Sequence, residues 1–252
     1  MTKERPKVIA AIPAYNEEKY IAEVVRKTAK YVDEVYVIDD GSTDRTAERA
    51  RAAGAIVISH SKNMGKGAAV NTAFTLARQI RPEALVLLDG DNQHDPEEIP
   101  LLLEPVLCGS YDMVVGSRFL RKNGIPAYRQ LGQGVLTIAT NLGSGIKMTD
   151  SQSGFRAFSA KAIDQMSFRE TGLSVESEMQ FLAGKIKLLI NEVPIVTNYD
   201  DEVKRNPVAH GVGVLIRVIW LLVRAWFHEA MGITNAHCSG ELVTGDEVSV
   251  RQ

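Results

Sequence analysis

Asp89, Asp91 and Gln93 stand at alternate positions directly behind an apolar run, Ala84 to Leu88. A run that short and that apolar reads as a strand buried on both faces. Its C-terminal end, where open α/β sheets place their ligands, then carries two carboxylates and an amide. Gly90 permits a tight backbone turn, and an extended segment would bring all three side chains to one side. Oxygen donors in that pattern suit a hard divalent ion that also holds a diphosphate. An apolar strand offers no structural reason for two adjacent charges at its edge. Asp95, just before Pro96, reads instead as a helix cap.

Two more polar loops follow apolar runs: Pro13-Ala14-Tyr15-Asn16-Glu17, and Asp39-Asp40-Gly41-Ser42-Thr43-Asp44. Strand ends on one rim of a sheet converge, so these loops should share a pocket with Asp89 and Asp91. Tyr15 could contact a base, while Glu17 and Asp40 could accept hydrogen bonds from base or ribose. Asn16 and Ser42 sit where helix N-caps belong. Of Asp39 and Asp40, one must point back toward the sheet. Asn63-Met64-Gly65-Lys66-Gly67 precedes a further helix; its glycines allow close backbone approach, and a helix N-terminus favours anions.

The elements that must position these groups alternate. Strands are predicted at Val8 to Ile12, Glu34 to Ile38, Ala55 to Ser59, Ala84 to Leu88 and Asp112 to Val115. Between them lie helices over Glu17 to Val32, from Ser42 or Thr43 through Ala53, from Gly65 to Ile80, and through Leu107. Such alternation implies an α/β fold with a mostly parallel central sheet, right-handed crossovers and flanking helices. No G-x-G-x-x-G follows the first strand, and no G-x-x-x-x-G-K-[ST] occurs, which disfavours a dinucleotide dehydrogenase or a P-loop enzyme.

At 252 residues, with 45% hydrophobic and 24% charged residues, the chain supports one large globular domain. A net charge of -2 argues against a nucleic-acid binder driven by bulk positive charge. Cys108 and Cys238 form no metal or redox spacing, so a reducing, cytoplasmic compartment is expected. The charged start, Met1 to Lys7, has no signal-peptide core, and no stretch offers eighteen uncharged apolar residues.

Taken with Gly116-Ser117-Arg118-Phe119 and the segment Asp150 to Ser159, these motifs resemble family 2 of the inverting glycosyltransferases, whose fold is GT-A. The resemblance covers about residues 7–206 and is closest to the dolichyl-phosphate and other polyprenyl-phosphate sugar synthases. It implies a nucleotide-sugar donor, GDP-mannose or a UDP-sugar, with Mg²⁺ or Mn²⁺ and a lipid-phosphate acceptor. It places Pro13, Ala14, Tyr15, Glu17 and Asp40 around the nucleoside, with Lys66 and Asp89 on the donor side. Asp89, Asp91 and Gln93 look like the metal ligands. Arg118, just beyond a strand, and Arg129 are similarly placed for the acceptor phosphate, for which a guanidinium fork is better suited than an ammonium.

Arg156 could bind phosphate, or pair with Asp150 and fix its loop, and the structural role is preferred. Glu176 and Glu178 open a helix whose apolar face includes Met179, Leu182 and Ile186, and either could reach the donor sugar. Lys204 and Arg205 belong to a charged loop, Asp200 to Asn206, able to close over the diphosphate. An acceptor phosphate needs no base, its second pKa being about 6; Asp91 and Arg118 would then act on charge and position. A sugar-hydroxyl acceptor would require a carboxylate base, for which Asp91 is the choice. A nucleotidyltransferase is disfavoured by Pro-Ala-Tyr-Asn-Glu after the first strand, and a non-catalytic sensor by the intact Asp89-Gly90-Asp91.

Beyond a catalytic domain over 1–206, the apolar stretch Val212 to Phe227, within 207–232, predicts an amphipathic helix carrying Arg217 and Arg224. Trp220 and Trp226 suit a membrane interface, here the cytoplasmic face. Packing on its own domain or on a second subunit of a homo-oligomer is the alternative. Residues 233–252 read as a tail.

Overall fold

A computed structural model describes residues 8–121, 127–169, 172 and 175–197. In chain order the elements are β1 (Val8–Ala14), α1 (Ile21–Thr28), β2 (Glu34–Asp39), α2 (Thr46–Ala52), β3 (Ile56–Ser59), α3 (Lys66–Ile80) and β4 (Ala84–Leu87). They continue with α4 (Ile99–Leu107), β5 (Met113–Ser117), α5 (Ala127–Ser144), β6 (Arg156–Ser159), α6 (Ala160–Gln165), α7 (Val175–Lys185) and β7 (Ile190–Pro194). The strands make one sheet in the order β3-β2-β1-β4-β6-β5-β7.

Alternating side chains of the strands feed two cores, as a sheet covered on both faces requires. Ile9, Ala11, Leu85, Leu87, Val115 and Phe158 pack against α3, α6 and α7. Ala10, Ile12, Val37, Val86, Leu88 and Val114 pack against α1, α2 and α4. Phe74 of α3 meets Phe158 and Phe168 edge-on, at centroid distances of 5.0 and 4.7 Å, the geometry aromatic quadrupoles prefer.

The expected parallel order holds for β1 with β2 and β4, for β2 with β3, and for β5 with β7. β6 departs from it and runs antiparallel to β4 and β5. The cause is the path of the chain. After α5, residues 149–155 stay at the C-terminal end of β5: Thr149 Oγ1 lies 2.6 Å from Ser117 Oγ, and Gly116 N–H donates to the Phe155 carbonyl. The strand that follows therefore starts from the ligand rim and runs back through the sheet.

Two helix starts also differ from expectation. α1 begins at Ile21, after a turn in which Asn16 adopts φ 56°. α2 begins at Thr46, whose N–H is accepted by Asp44 Oδ1 at 2.9 Å. Asn16 and Ser42 cap neither helix: Asn16 N–H donates to Ser42 Oγ, and Thr43 N–H donates to Asn16 Oδ1. Asp95 does cap, accepting from Glu97 N–H. The domain boundary near 206, the helix expected within 207–232, and Lys204 and Arg205 lie outside the described residues.

Candidate active site

Three strand ends build the rim. The loops after β1 and β2 are tied together, because Glu17 N–H donates to Thr46 Oγ1 and Glu18 N–H to Asp44 Oδ2, besides the Asn16–Ser42 bond. Backbone amides that would otherwise lack partners are thus satisfied across the two loops. Pro13 and buried Ala14 face the third strand end, that of β4, where Asp89 emerges.

Asp89 is the hub. Its Oδ1 lies 2.7 Å from Lys66 Nζ, and the same ammonium lies 2.8 Å from Glu176 Oε1. Lys66 opens α3, while Glu176 sits in the first turn of α7, so two helices on one face of the sheet converge on the end of β4. A small cavity there is lined by Pro13, Lys66, Asp89, Gly154, Glu176 and Met179. Burial disfavours the charge of Asp89, but Lys66 and His94 outweigh it and hold the carboxyl well below the usual range. Burial likewise opposes the charge of Lys66, and Asp89 with Glu176 reverses that and raises its pKa. Asp89 still keeps 26% of its side chain exposed, so it remains open to a ligand.

Asp91 behaves oppositely. Burial, and then the charge on Asp89, push its carboxyl above the ordinary value. Its Oδ1 accepts from Gln93 N–H at 3.1 Å, and among the described residues no ion pair neutralises it. The chain turns at 90–92, with Asn92 at φ 61°, rather than running extended as expected. Gly90 therefore serves close packing, a Cβ there standing 3.3 Å from both Ala14 Cβ and Ile21 Cδ1.

These donors fit a hard divalent cation. Two carboxylates of unequal pKa adjoin, one of them already holding an ammonium as its counter-charge. The side-chain amide of Gln93 has no hydrogen bond among the described residues. Among the described residues no group of three His, Cys, Asp or Glu side chains is arranged to hold a metal alone, so an ion would also need the amide oxygen and oxygens of its substrate.

Other expected ligand residues have structural partners instead. Asp40 is buried, with Oδ1 accepting from Met64 N–H and lying 2.7 Å from His60 Nδ1, and Oδ2 accepting from Gly65 N–H. It shapes the loop that presents Lys66, both oxygens accepting from that loop. Arg118 forms a buried fork with Asp150, Nε to Oδ2 at 2.6 Å and Nη2 to Oδ1 at 2.8 Å. Burial opposes the charge of Asp150, and Arg118 holds its carboxyl below the usual range. Arg156, fully buried, donates from Nε to the Ser153 carbonyl and from Nη2 to the Ser151 carbonyl. It fixes the loop, as preferred, by hydrogen bonds to carbonyls, with the charge of Asp150 nearby; fully buried, it is not exposed to a phosphate in solvent. Glu178 accepts from Arg169 N–H and Glu176 holds Lys66. Arg129 falls in α5, and its side chain lies outside the described residues.

Sequence reasoning missed His60, which joins Asp40 to Thr72 Oγ1 of α3 at 2.9 Å. It also missed His94, buried with Nε2 3.8 Å from Asp89 Oδ2. The adjacency of His94 to Gln93 was its only signal, and His60 gave none.

Compared with known proteins, residues 9–167 match the family described as Glycosyl transferase family 2. An uncharacterised protein of Methanocaldococcus jannaschii is 37% identical over 203 residues, covering 78% of this chain and 84% of that one. The UDP-N-acetylglucosamine–dolichyl-phosphate N-acetylglucosaminyltransferase of Methanococcus voltae is 34% identical over 228 residues, covering 81% and 89%. Among solved structures, glucosyl-3-phosphoglycerate synthase from Mycobacterium tuberculosis, in complex with Mn²⁺ and UDP-glucose, superposes with a TM-score of 0.69. That likeness, at 24% identity and covering 87% of this chain and 79% of that one, establishes the GT-A type of fold.

Proposed function

The chain belongs to glycosyl transferase family 2, and from that membership we propose that it moves a sugar from a nucleotide-sugar donor to a polyprenyl phosphate. One observation carries the donor half: Lys66, Asp89 and Asp91 meet at the end of a buried strand, with the ammonium 2.7 Å from one carboxylate. A cation-and-carboxylate pair of that kind suits a diphosphate with its metal. The acceptor half is supported by the Methanococcus voltae relative, named for a dolichyl-phosphate acceptor and matched over 89% of its length.

Asp89, Asp91 and Gln93 would hold Mg²⁺ or Mn²⁺, which when bound neutralises the departing diphosphate. Pro13, Ala14, Tyr15 and Glu17 line the nucleoside side of the rim. An acceptor phosphate oxygen forms the new bond to the anomeric carbon while the bond to the diphosphate oxygen breaks, with inversion. No proton need be removed, because the phosphate is already largely dianionic near neutral pH. Rate then comes from alignment and charge. Arg118 works here through Asp150, fixing the loop that bears Gly154 beside Asp89. Arg129, Lys204 and Arg205 would meet the acceptor phosphate or the diphosphate. A donor screen of GDP-mannose, UDP-glucose and UDP-N-acetylglucosamine against a short-chain polyprenyl phosphate tests this reading. Turnover with a sugar hydroxyl alone would favour the second family 2 chemistry, with Asp91 as the carboxylate base.

A further inference from the structure

We propose that Lys66 competes with the divalent cation for Asp89, and that Glu176 is the positioning residue that draws the ammonium aside. This rests on the metal-assisted transfer proposed above and assigns two further residues a part in it. Lys66 Nζ lies 2.7 Å from Asp89 Oδ1 and 2.8 Å from Glu176 Oε1. One ammonium is thus shared between an acid assigned to metal and an acid that is not. The two acids differ in access, the side chain of Asp89 being 26% exposed and that of Glu176 only 7%. A carboxylate as buried as Glu176 depends on a fixed partner. Asp89 can exchange its partner for one arriving from the rim.

The arrangement makes a contest of that exchange. Asp89 gives Oδ1 to the ammonium, while Oδ2 faces Gly154, where a Cβ would stand 2.6 Å from it. An ion on either oxygen would meet the charge of Lys66 across a single carboxylate, where burial weakens screening. Lys66 therefore opposes metal until further anions join the site. The diphosphate of a donor brings such anions, so metal binding becomes tied to donor binding.

Glu176 suits the holding role. It lies in the first turn of α7, where a helix favours negative charge. Burial lowers the pKa of Arg156, and Glu176 is first among the carboxylate charges that oppose this. The acid thus serves two cations, Lys66 and Arg156, and has no substitute at that place among the described residues. The backbone before Lys66 is tied down, because Asp40 accepts from Met64 N–H and Gly65 N–H. Only the lysine side chain has to move, and the cavity between Asp89, Glu176, Val70 and Met179 gives it room.

The test is Mn²⁺ binding to the full chain without nucleotide, read from the electron paramagnetic resonance signal of free Mn²⁺. Lys66→Met should tighten binding on the order of tenfold, because Asp89 loses its competitor. Glu176→Gln should weaken it by roughly tenfold, because the ammonium then turns wholly to Asp89. Residues that only support the fold would shift affinity downward in both variants. Lys66→Met combined with Glu176→Gln removes both charges and should also bind more tightly than wild type. That double variant decides the matter where circular dichroism shows a single variant unfolded. Binding no tighter than wild type in the double variant overturns the proposal, any gain in Lys66→Met then coming from the unpaired charge of Glu176. Binding no tighter in folded Lys66→Met, or no weaker in folded Glu176→Gln, overturns it too. Addition of UDP or GDP reports separately on the proposed function. A wild type that gains no Mn²⁺ affinity with either nucleotide refutes metal-assisted donor binding, whereas a wild-type gain beside unaltered variants refutes the competition alone.

Discussion

The carboxylate of Asp89 occupies the space a side chain at Gly154 would need: a Cβ there would stand 2.6 Å from Oδ2 and 3.1 Å from Cγ. Asp89 is pinned from its other oxygen by Lys66, so it cannot yield without breaking that pair. Gly154→Ala should therefore displace the carboxylate and lower kcat/KM on the order of 10²-fold, as misplacement by an ångström can. Kinetics over a range of Mn²⁺ concentrations would check it, the variant requiring more metal. Unchanged kinetics would remove Asp89 from the reacting centre.

Arg118 and Asp150 make a buried, bidentate pair, and breaking one partner leaves the other charge unpaired. Arg118→Ala should cost about 3–5 kcal/mol of stability. The pH dependence has a definite sign. The carboxyl of Asp150 is depressed in the folded state, so its stabilisation is present above its unfolded pKa of about 3.9 and is lost as pH falls through the lower folded value. Thermal melts should show stability falling below about pH 4, less steeply in Asp150→Asn. Asp89 and Asp44 are depressed as well, so some acid sensitivity should persist in the variant.

Asp40→Ala separates two roles for that residue. Losing the acceptor for Met64 N–H and Gly65 N–H should loosen the loop before α3, lower Tm, and raise the donor KM on the order of tenfold through Lys66. A direct contact to the nucleobase would instead change preference between GDP- and UDP-sugars at constant Tm. Differential scanning fluorimetry with donor kinetics distinguishes them, and His60→Gln should follow Asp40→Ala in kind and be milder.

The first half of the fold was legible because each strand is a short apolar run ending in a polar loop, and period and length both speak there. The rim formed by Pro13, Lys66, Asp89 and Asp91 followed from that pattern. What was not legible depends on long-range partners. Nothing in Arg156 to Ser159 encodes direction, and β6 runs antiparallel because the preceding loop stays on the rim. α5 escaped notice because Gly132, Gly134 and Gly143 interrupt its apolar stripe and no charge marks its solvent side. Arg118 looked like a free phosphate ligand because Asp150 lies 32 residues away in sequence. The loop-holding role of Asp40 was hidden because its partners are 24 and 25 residues distant.

The most direct measurement is transfer from radiolabelled UDP-N-acetylglucosamine, UDP-glucose and GDP-mannose to a short-chain polyprenyl phosphate, with Mn²⁺ or Mg²⁺, followed by extraction of the lipid product. We expect one donor to yield a sugar-phosphate lipid with inverted anomeric configuration. That product should be abolished in Asp91→Asn and in Asp89→Ala, which keep the wild-type circular dichroism spectrum but lose metal-dependent nucleotide binding by calorimetry. Label appearing only on a sugar hydroxyl or as free sugar, or full activity in both variants, would contradict the account.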